Sequence, residues 1–484
     1  MGEQAKTTSF RPGFNPAAQI QTSTTSITSE VATLLLREIA ENLDLPSLAD
    51  DLVDDRNQDQ VTYPLRELFL TRILLIAQGW RDQDDVTALR QDPALCLAVS
   101  SRKGTSPLDP PKAPLSPAHL PSQPTLSRFQ SMLASQHNRH QLAAGMLQRA
   151  VARIRSERGF QDERVIDVDS TPYEAHGEQE GAVWNGCYEV VGFHPLLAYA
   201  DVGDLLGIML RPGNVHTAAE IRTFLRPILS TVQPLCKRLW LRIDAGYAGG
   251  AIQAWLTEKR VRFITRLPNN DALERQLAGW HTRMAATWAA DPRPEAAPRE
   301  ALREFWYRSK GWTRLVRVVA VVVEVKDPKA DKPNWRVFYI ASNASRAEAS
   351  SYALLTRYRQ RGGAEQLIGE FKRTLAATVS SVPRPKEGHV PPGRPVGMGE
   401  NEVSLLLAGV AYNLLHALRC ALEGPLKVRI TLQRLREEVL GATALVVRHA
   451  RRVVYRISEA YSGMWEVVCG VIPGIRSVKE GSIA

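Results

Sequence analysis

The chain has 484 residues, 44% hydrophobic and 23% charged, and its 61 Lys and Arg against 51 Asp and Glu leave a formal net charge of +10. That length exceeds what one core covers, and the basic excess points to a polyanionic partner without separating DNA from RNA or an acidic membrane surface. Five scattered cysteines with no CxxC pair argue against a zinc knuckle or a disulfide framework and fit a reducing cytoplasm, while the longest apolar run, around Val316–Val325, is interrupted by Arg317 and Glu324 and falls short of a bilayer span.

Residues 1–28 are rich in Ser, Thr and Gln, lack the apolar stretch of a signal peptide, and are expected to be disordered. From Ser29 the pattern turns helical, with Val31, Leu34, Leu35 and Ile39 on one stripe. A second helix is predicted from Pro64 to Gln78, stopped by Gly79, and a short third over Asp84–Arg90. Ser106–Pro124 is a proline-rich loop. Thr125 then caps a helix carrying Arg128, His137, Arg139, His140, Arg149, Arg153 and Arg155. Residues 29–160 therefore read as a helical DNA-binding domain or, equally, as a plain bundle with a solvated basic face.

At Arg164 the period changes. Val165, Ile166 and Val168 around Asp167 and Asp169 make a short buried strand, and Tyr188–Ala200 and Leu205–Leu210 make two more across a turn at Gly203. Thr217 and Glu220 form a capping box for a helix to Val232. Strand Leu239–Ile243, helix Ala251–Lys259 and strand Val261–Leu267 complete the order β-β-β-α-β-α-β, which is that of a ribonuclease H-like α/β fold, a mixed sheet flanked by helices. The first part of this core is placed at 161–270 and the second at 350–423. Between them, residues 271–300 read as helical, ending in a loop at Asp291–Pro298, and Trp312–Val325 with Trp335–Ile340 as a hairpin across Asp327–Pro333. One helical pattern runs from Ala347 to Ala376, Pro383–Pro395 is a second proline-rich break, and helices are expected over Glu402–Glu423 and Leu426–Ala460, the latter in a C-terminal helical region, 424–484.

Two strand ends and one helix face carry chemistry. Asp169 and Asp244 close adjacent strands, so both carboxylates leave the same sheet edge. Asp167 shares the face of Asp169 and competes with it. The segment Tyr358-Arg-Gln-Arg361-Gly-Gly-Ala-Glu365 through Lys372 has the spacing Y-x2-R-x3-E-x6-K. On a continuous helix Tyr358, Arg361, Glu365 and Lys372 fall within an arc of roughly 60°. A carboxylate there could bind metal, and its cationic neighbours could clamp phosphates. Three carboxylates of this kind suit hard divalent cations, which neutralise the attacking and leaving oxygens of a phosphodiester. Trp306 and Trp312 flank Tyr307, Arg308 and Lys310, and each is a base-stacking candidate or simply packs the sheet. Arg448, Arg452 and Arg456 recur every fourth residue and either bind phosphates along a helix or form a solvated face.

The Y-R-E-K segment resembles the signature of the DDE transposases of bacterial insertion sequences, in the insertion-sequence-four superfamily. Ile166–Thr171, His176–Gly181, Trp184-Asn-Gly186, Arg211-Pro-Gly-Asn214, Arg242–Tyr247, Leu126-Ser-Arg128 and Ala411–Leu415 resemble its thirteen-eighty family, over roughly residues 29–460. The resemblance implies Asp169, Asp244 and Glu365 as the three catalytic acids, holding two Mg2+ ions for which Mn2+ could substitute. It also implies that 271–349 is a mostly β insertion. DNA contacts are expected from Tyr358, Arg361, Lys372, Trp312, Arg448 and Arg452. The implied reaction is cut-and-paste transposition. Double-stranded DNA is cleaved at terminal inverted repeats and joined to target DNA, with or without hairpin ends, by a homodimer in a synaptic complex. The expected setting is the bacterial cytoplasm, at the nucleoid and away from membranes. A ribonuclease H-like nuclease without strand transfer and a catalytically idle DNA-binding repressor are the competing readings.

Overall fold

The computed structural model describes residues 9–10, 12, 14–15, 17–21, 25–109, 119–176, 179–291, 298–325, 334–375, 379, 397–449 and 451–478. Residues 110–118 of the first proline-rich stretch, the whole of the second, residues 292–297 and the expected loop at Asp327–Pro333 therefore lie outside the described residues. The chain divides into two units, residues 130–413 and residues 1–129 with 414–484.

The unit over 130–413 is built on an eight-stranded sheet. Its strands are β1 (Gln161–Ser170), β5 (Leu196–Ala200), β6 (Leu205–Met209), β7 (Cys236–Ile243), β8 (Arg262–Leu267), β9 (Glu300–Tyr307), β10 (Val316–Val325) and β11 (Asn334–Ser342). The numbers left open belong to a small separate sheet of β2 (Tyr173–Glu174), β3 (Val183–Asn185) and β4 (Val190–Phe193). The large sheet runs β9-β10-β11-β8-β7-β1-β5-β6. β7 is parallel to both β1 and β8, while β1–β5 and β5–β6 are antiparallel. Order β6-β5-β1-β7-β8 with these directions is the ribonuclease H-like arrangement, as expected from the sequence. Helices α1 (Ile221–Val232) and α2 (Gly250–Glu258) follow β6 and β7. Phe224, Leu225, Ile228 and Trp255 from these helices bury against Ile166, Val168, Leu239 and Leu241 of the sheet, which is why those strands read as near-continuous apolar runs.

The structure corrects several sequence expectations. Tyr188–Ala200 is not one strand: the chain leaves the small sheet at Phe193 and enters β5 at Leu196, around His194-Pro195. Pro195 lacks the N–H an unbroken ladder needs. The capping box at Thr217 does not form. Glu220 is in the left-handed region (φ 58°), and α1 begins at Ile221. The fully buried Arg211 draws the Thr217 and Ala219 carbonyls to its Nη1 at 2.9 and 2.8 Å, holding them in a turn. The helix expected from residue 271 spans Asp271–Ala290, and the strand β9 at Glu300–Tyr307 adds an element that the sequence reading did not assign. The basic helix expected from Thr125 is two helices, Gln123–Leu133 and Gln136–Arg158, the second capped by Ser135. Arg153 on it is buried against Asp204 (2.7 and 2.5 Å), and Arg139 pairs with Glu402, so part of the supposed basic face is internal.

The other unit contains helices Ala32–Asn42, Leu65–Gln78 and Pro93–Val99, with Gly79 ending the second in a left-handed conformation (φ 109°) as predicted. The helix expected over Leu426–Ala460 is replaced in large part by a hairpin, Ala444–His449 paired with Arg452–Ile457 and edged by Ile27–Thr28. β-branched Val446, Val447, Val453 and Val454 favour a pleated strand over a helix. Helix Met398–Leu426 is long and apolar enough to cross a bilayer by length and composition, contrary to the sequence reading, but 83% of its most apolar window is buried within the protein.

Arg317 on β10 is fully buried and donates to the Ala349 carbonyl (2.6 Å) and to Glu304 of β9 (2.7 Å). Burial alone would raise the Glu304 carboxyl, but hydrogen bonds from Arg317, Arg346 and Ser351 outweigh it and hold it at about 2. A carboxyl with a depressed folded pKa stabilises above its unfolded pKa, and the benefit disappears as pH falls toward the folded value. Glu304→Gln is expected to cost about 3 kcal/mol at pH 7 in urea denaturation. Its difference from wild type should shrink as pH falls from about 4.5 to about 2; a pH-independent difference would contradict this account.

Candidate active site

β1 and β7 lie side by side in register, Arg242 opposite Asp167 and Ile243 opposite Val168, so Asp169 and Asp244 come at the next rung of adjacent strand ends. The two aspartates of β1 have different surroundings. Asp167 is buried, and both its oxygens accept from Arg242, each at 2.6 Å. Burial raises its pKa, opposed by that guanidinium. Arg242 also donates from Nη1 to the Arg357 carbonyl (3.0 Å) and the Gln360 side chain (3.3 Å). Asp169 is half-buried beside its own chain turn, with the Ser170 N–H on Oδ1 at 2.9 Å.

Asp244 is held by its backbone. Its carbonyl accepts from Tyr247 N–H (3.0 Å) and from the buried Thr265 hydroxyl (2.9 Å). These bonds fix where its half-buried carboxylate leaves β7.

The Y-R-E-K segment is not one continuous helix. α3 (Ser351–Arg359) and α4 (Gly362–Leu375) are separated by Gln360 and Arg361, where the paired glycines Gly362 and Gly363 make an unbroken helix costly. The single 60° arc therefore does not exist, and the four residues go to three places. Arg361 spans two acids, Nη2 to Asp169 Oδ2 at 2.5 Å and Nη1 to Glu365 Oε1 at 2.7 Å. Burial works against the Arg361 charge, but Asp169, Asp244 and Glu365 together outweigh it and raise its pKa. Lys372 donates to the Pro172 carbonyl (2.6 Å) and Thr171 Oγ1 (3.2 Å) and sits over the Tyr173 ring, bracing the turn after β1. Tyr358 packs its ring against Phe338 of β11.

Asp169, Asp244, Glu365 and Arg361 thus form one electrostatic cluster. Burial lifts the Asp169 carboxyl to about 6; Arg361 and the Ser170 N–H oppose the rise, and Asp244 and Glu365 add to it. Among the described residues no three acidic, His or Cys side chains are close enough as placed to hold a metal ion. The donor chemistry nevertheless fits a hard dication. The ligand atoms are all carboxylate oxygens, and Arg361 already supplies a cation's charge between two of them.

The remaining predicted contacts lie elsewhere. Trp312 packs on the start of α2, where a Cβ on Gly250 would meet its Cδ1 at 2.5 Å, and edge-on to Tyr307. It lines a cavity of about 140 Å³ with the exposed Trp306 and with Arg314. Arg448 and Arg452 belong to the hairpin of the other unit, Arg448 opposite Val453 and Arg452 opposite His449 rather than along a helix face, and Arg448 donates to the Leu108 carbonyl at 3.2 Å. Sequence reasoning missed Arg242, although an Arg beside Asp244 on a buried strand had to find a carboxylate.

Across residues 10–468 the sequence matches the family described as transposase DDE domain group 1. The chain belongs to this transposase family. DDE transposases generally act with divalent metal ions. Among curated proteins none matches the sequence. Among solved structures, the chain is similar to a piggyBac transposase synaptic complex with hairpin DNA, at 9% identity, over 85% of this chain and 77% of that one, with a TM-score of 0.37. That likeness is too distant to add to the fold described above.

For this transposase the two aspartates of β1 should differ in what they lose on mutation. Asp167→Asn strands the buried Arg242 and is expected to cost about 3–5 kcal/mol of stability in urea denaturation. Asp244→Asn removes one of three mutually repelling carboxylates and should change stability by less than about 1 kcal/mol without divalent ions. Equal losses would refute the division of roles.

Proposed function

We propose that the chain cleaves DNA at the ends of a bacterial insertion element and joins the freed 3′-OH to target DNA, as a member of the thirteen-eighty family. The observation that carries this reading is the cluster of Asp169 and Asp244 at adjacent strand ends, with Glu365 brought to Asp169 through Arg361. Asp169, Asp244 and Glu365 would hold two Mg2+ ions, with Mn2+ as a substitute. Bound there, such ions neutralise the charge that develops on phosphate oxygens and lower the pKa of water.

The chain's own residues do the positioning. Arg361 can exchange its carboxylate partners for a DNA phosphate, which its forked guanidinium matches in geometry. Lys372 braces the Thr171–Pro172 turn, keeping Asp169 where β1 ends, and adds positive charge beside the strand. Tyr358 fixes the end of α3 against β11 and presents a phenol toward the same charges. Trp306 and Trp312 line a cavity able to receive a base extruded when an end passes through a hairpin. Arg448 and Arg452 near their hairpin turn would contact DNA phosphates. Pairing of two DNA ends calls for a homodimer.

The test is an assay with the DNA repeats flanking the coding region, Mg2+ and a target plasmid. Joined products support transposition, cleavage without joining supports the nuclease, and binding alone supports the repressor. Asp244→Ala and Glu365→Ala should abolish both steps, and Arg361→Ala should slow cleavage about 100-fold. Strand transfer by either acid variant at the wild-type rate would overturn the assignment.

A further inference from the structure

The small sheet β2-β4-β3 combines a tightly built backbone with a bare face. Its order places Trp184 of β3 directly opposite Val191 of β4, and the two side chains are 57% and 44% exposed. Tyr188, in the turn between these strands, is 42% exposed. Three large apolar groups open to solvent on so small a sheet form no core, and nothing among the described residues covers them.

The turn that presents them is constructed from buried polar atoms. Asn185 is itself buried, and its Oδ1 accepts from the N–H groups of Cys187 (3.0 Å) and Tyr188 (3.3 Å). Its Nδ2 donates to the Gly213 carbonyl at 2.6 Å. Backbone approach is as close as it can be. A Cβ on Gly192 would meet the Tyr173 carbonyl oxygen at 1.9 Å, and one on Gly213 the Gly192 oxygen at 2.2 Å. The Tyr188 ring meets the buried His194 edge-on at 5.5 Å. The backbone that carries the exposed Trp184 and Tyr188 rings is therefore closely held, which favours ligand stacking over adaptive packing.

Its position identifies the ligand. β2 follows Asp169 by four residues, and Tyr173 of β2 lies under Lys372 Nζ at 5.2 Å. The Tyr188 ring reaches His194, three residues before Leu197, which lies opposite Asp169 in the pairing of β5 with β1. Aromatic rings beside a cation and a phosphate-cutting cluster fit the bases of a strand whose phosphates lie on that cluster. We propose that Trp184 and Tyr188 form a stacking platform for unpaired bases of DNA next to the acidic site. The inference rests on the DNA-cleaving function proposed above. It concerns bases and is distinct from the Trp306–Trp312 cavity on β9 and the loop before β10.

The experiment compares binding of the full chain to fluorescein-labelled oligo(dT) of about 15 nucleotides and to an abasic strand of equal length and charge, by anisotropy. The wild type should bind oligo(dT) at least about fivefold tighter than the abasic strand, because stacking depends on the base and phosphate contact does not. Trp184→Ala with Tyr188→Ala should erase that preference while leaving abasic-strand affinity within about twofold, and Trp184→Phe should preserve it. Asn185→Ala, which releases the turn, should weaken the preference with both rings present. If the wild type binds both strands equally, or the double variant keeps the preference, the platform is refuted while DNA binding stands. If the double variant keeps the preference and sedimentation shifts toward monomer, the face belongs to a second copy of the chain. If the wild type binds neither strand, the platform is refuted, while the DNA-cleaving reading stands or falls on the assay with the duplex repeats.

Discussion

The buried pair of Asp167 and Arg242 is the interaction on which the site depends. It joins neighbouring residues of two parallel strands, with both carboxylate oxygens and two guanidinium nitrogens engaged. Desolvating two charges is expensive, and such a pair contributes less to stability than its geometry suggests. Its value is positional. The third nitrogen of Arg242 reaches the Arg357 carbonyl and the Gln360 side chain, where α3 gives way to α4. One side chain thus ties the strands that carry Asp169 and Asp244 to the junction that carries Arg361.

From that junction the charge balance of the cluster follows. Three carboxylates held near one another would repel, and partial burial of Asp169 adds to the cost. Arg361 relieves it by pairing with Asp169 and Glu365 while lying within the field of Asp244. A guanidinium in that place is a provisional partner. Its two partners, Asp169 and Glu365, are acids proposed to hold the cation, so on that reading cation binding would be coupled to release of Arg361. A phosphate that accepted the released guanidinium would favour both events, and DNA and cation binding would then reinforce each other by linkage.

Most of the core was legible in the sequence because its strands are buried on both faces and its helices are strongly amphipathic. Runs such as Val165–Val168 and Leu239–Ile243 have few alternatives to a parallel strand. The order of elements then leads to the sheet topology. Other features depend on contacts that spacing does not encode. Periodicity gave no reason to break 347–376, and the break at Gln360–Arg361 redistributes the four signature residues over three places. Asp167 and Asp169 are equivalent by alternation, and their difference arises from Arg242, some 75 residues away in the chain. The basic stripe on Gln136–Arg158 counted Arg139 and Arg153 as solvent-facing, although each finds a carboxylate that is remote in sequence. The arginines at 448, 452 and 456 have helical spacing by coincidence, and the valines between them decide for strands.

The family-like stretches outside the acids turn out to share a structural purpose. Arg211, buried and bonded to the His194, Thr217 and Ala219 carbonyls, fastens the chain after β6 to the segment before β5. Gly213 lets that same chain press against β3 and β4, and Asn185 answers it with a hydrogen bond to the Gly213 carbonyl. Arg-Pro-Gly-Asn and Trp-Asn-Gly are therefore two sides of one joint. In such a joint the buried Asn and Arg are explained by the backbone groups they satisfy. Trp184 satisfies nothing within the unit described, and its indole remains more than half exposed beside a rigid turn. A large aromatic side chain left bare by a closely packed support is explained by what lies outside the fold.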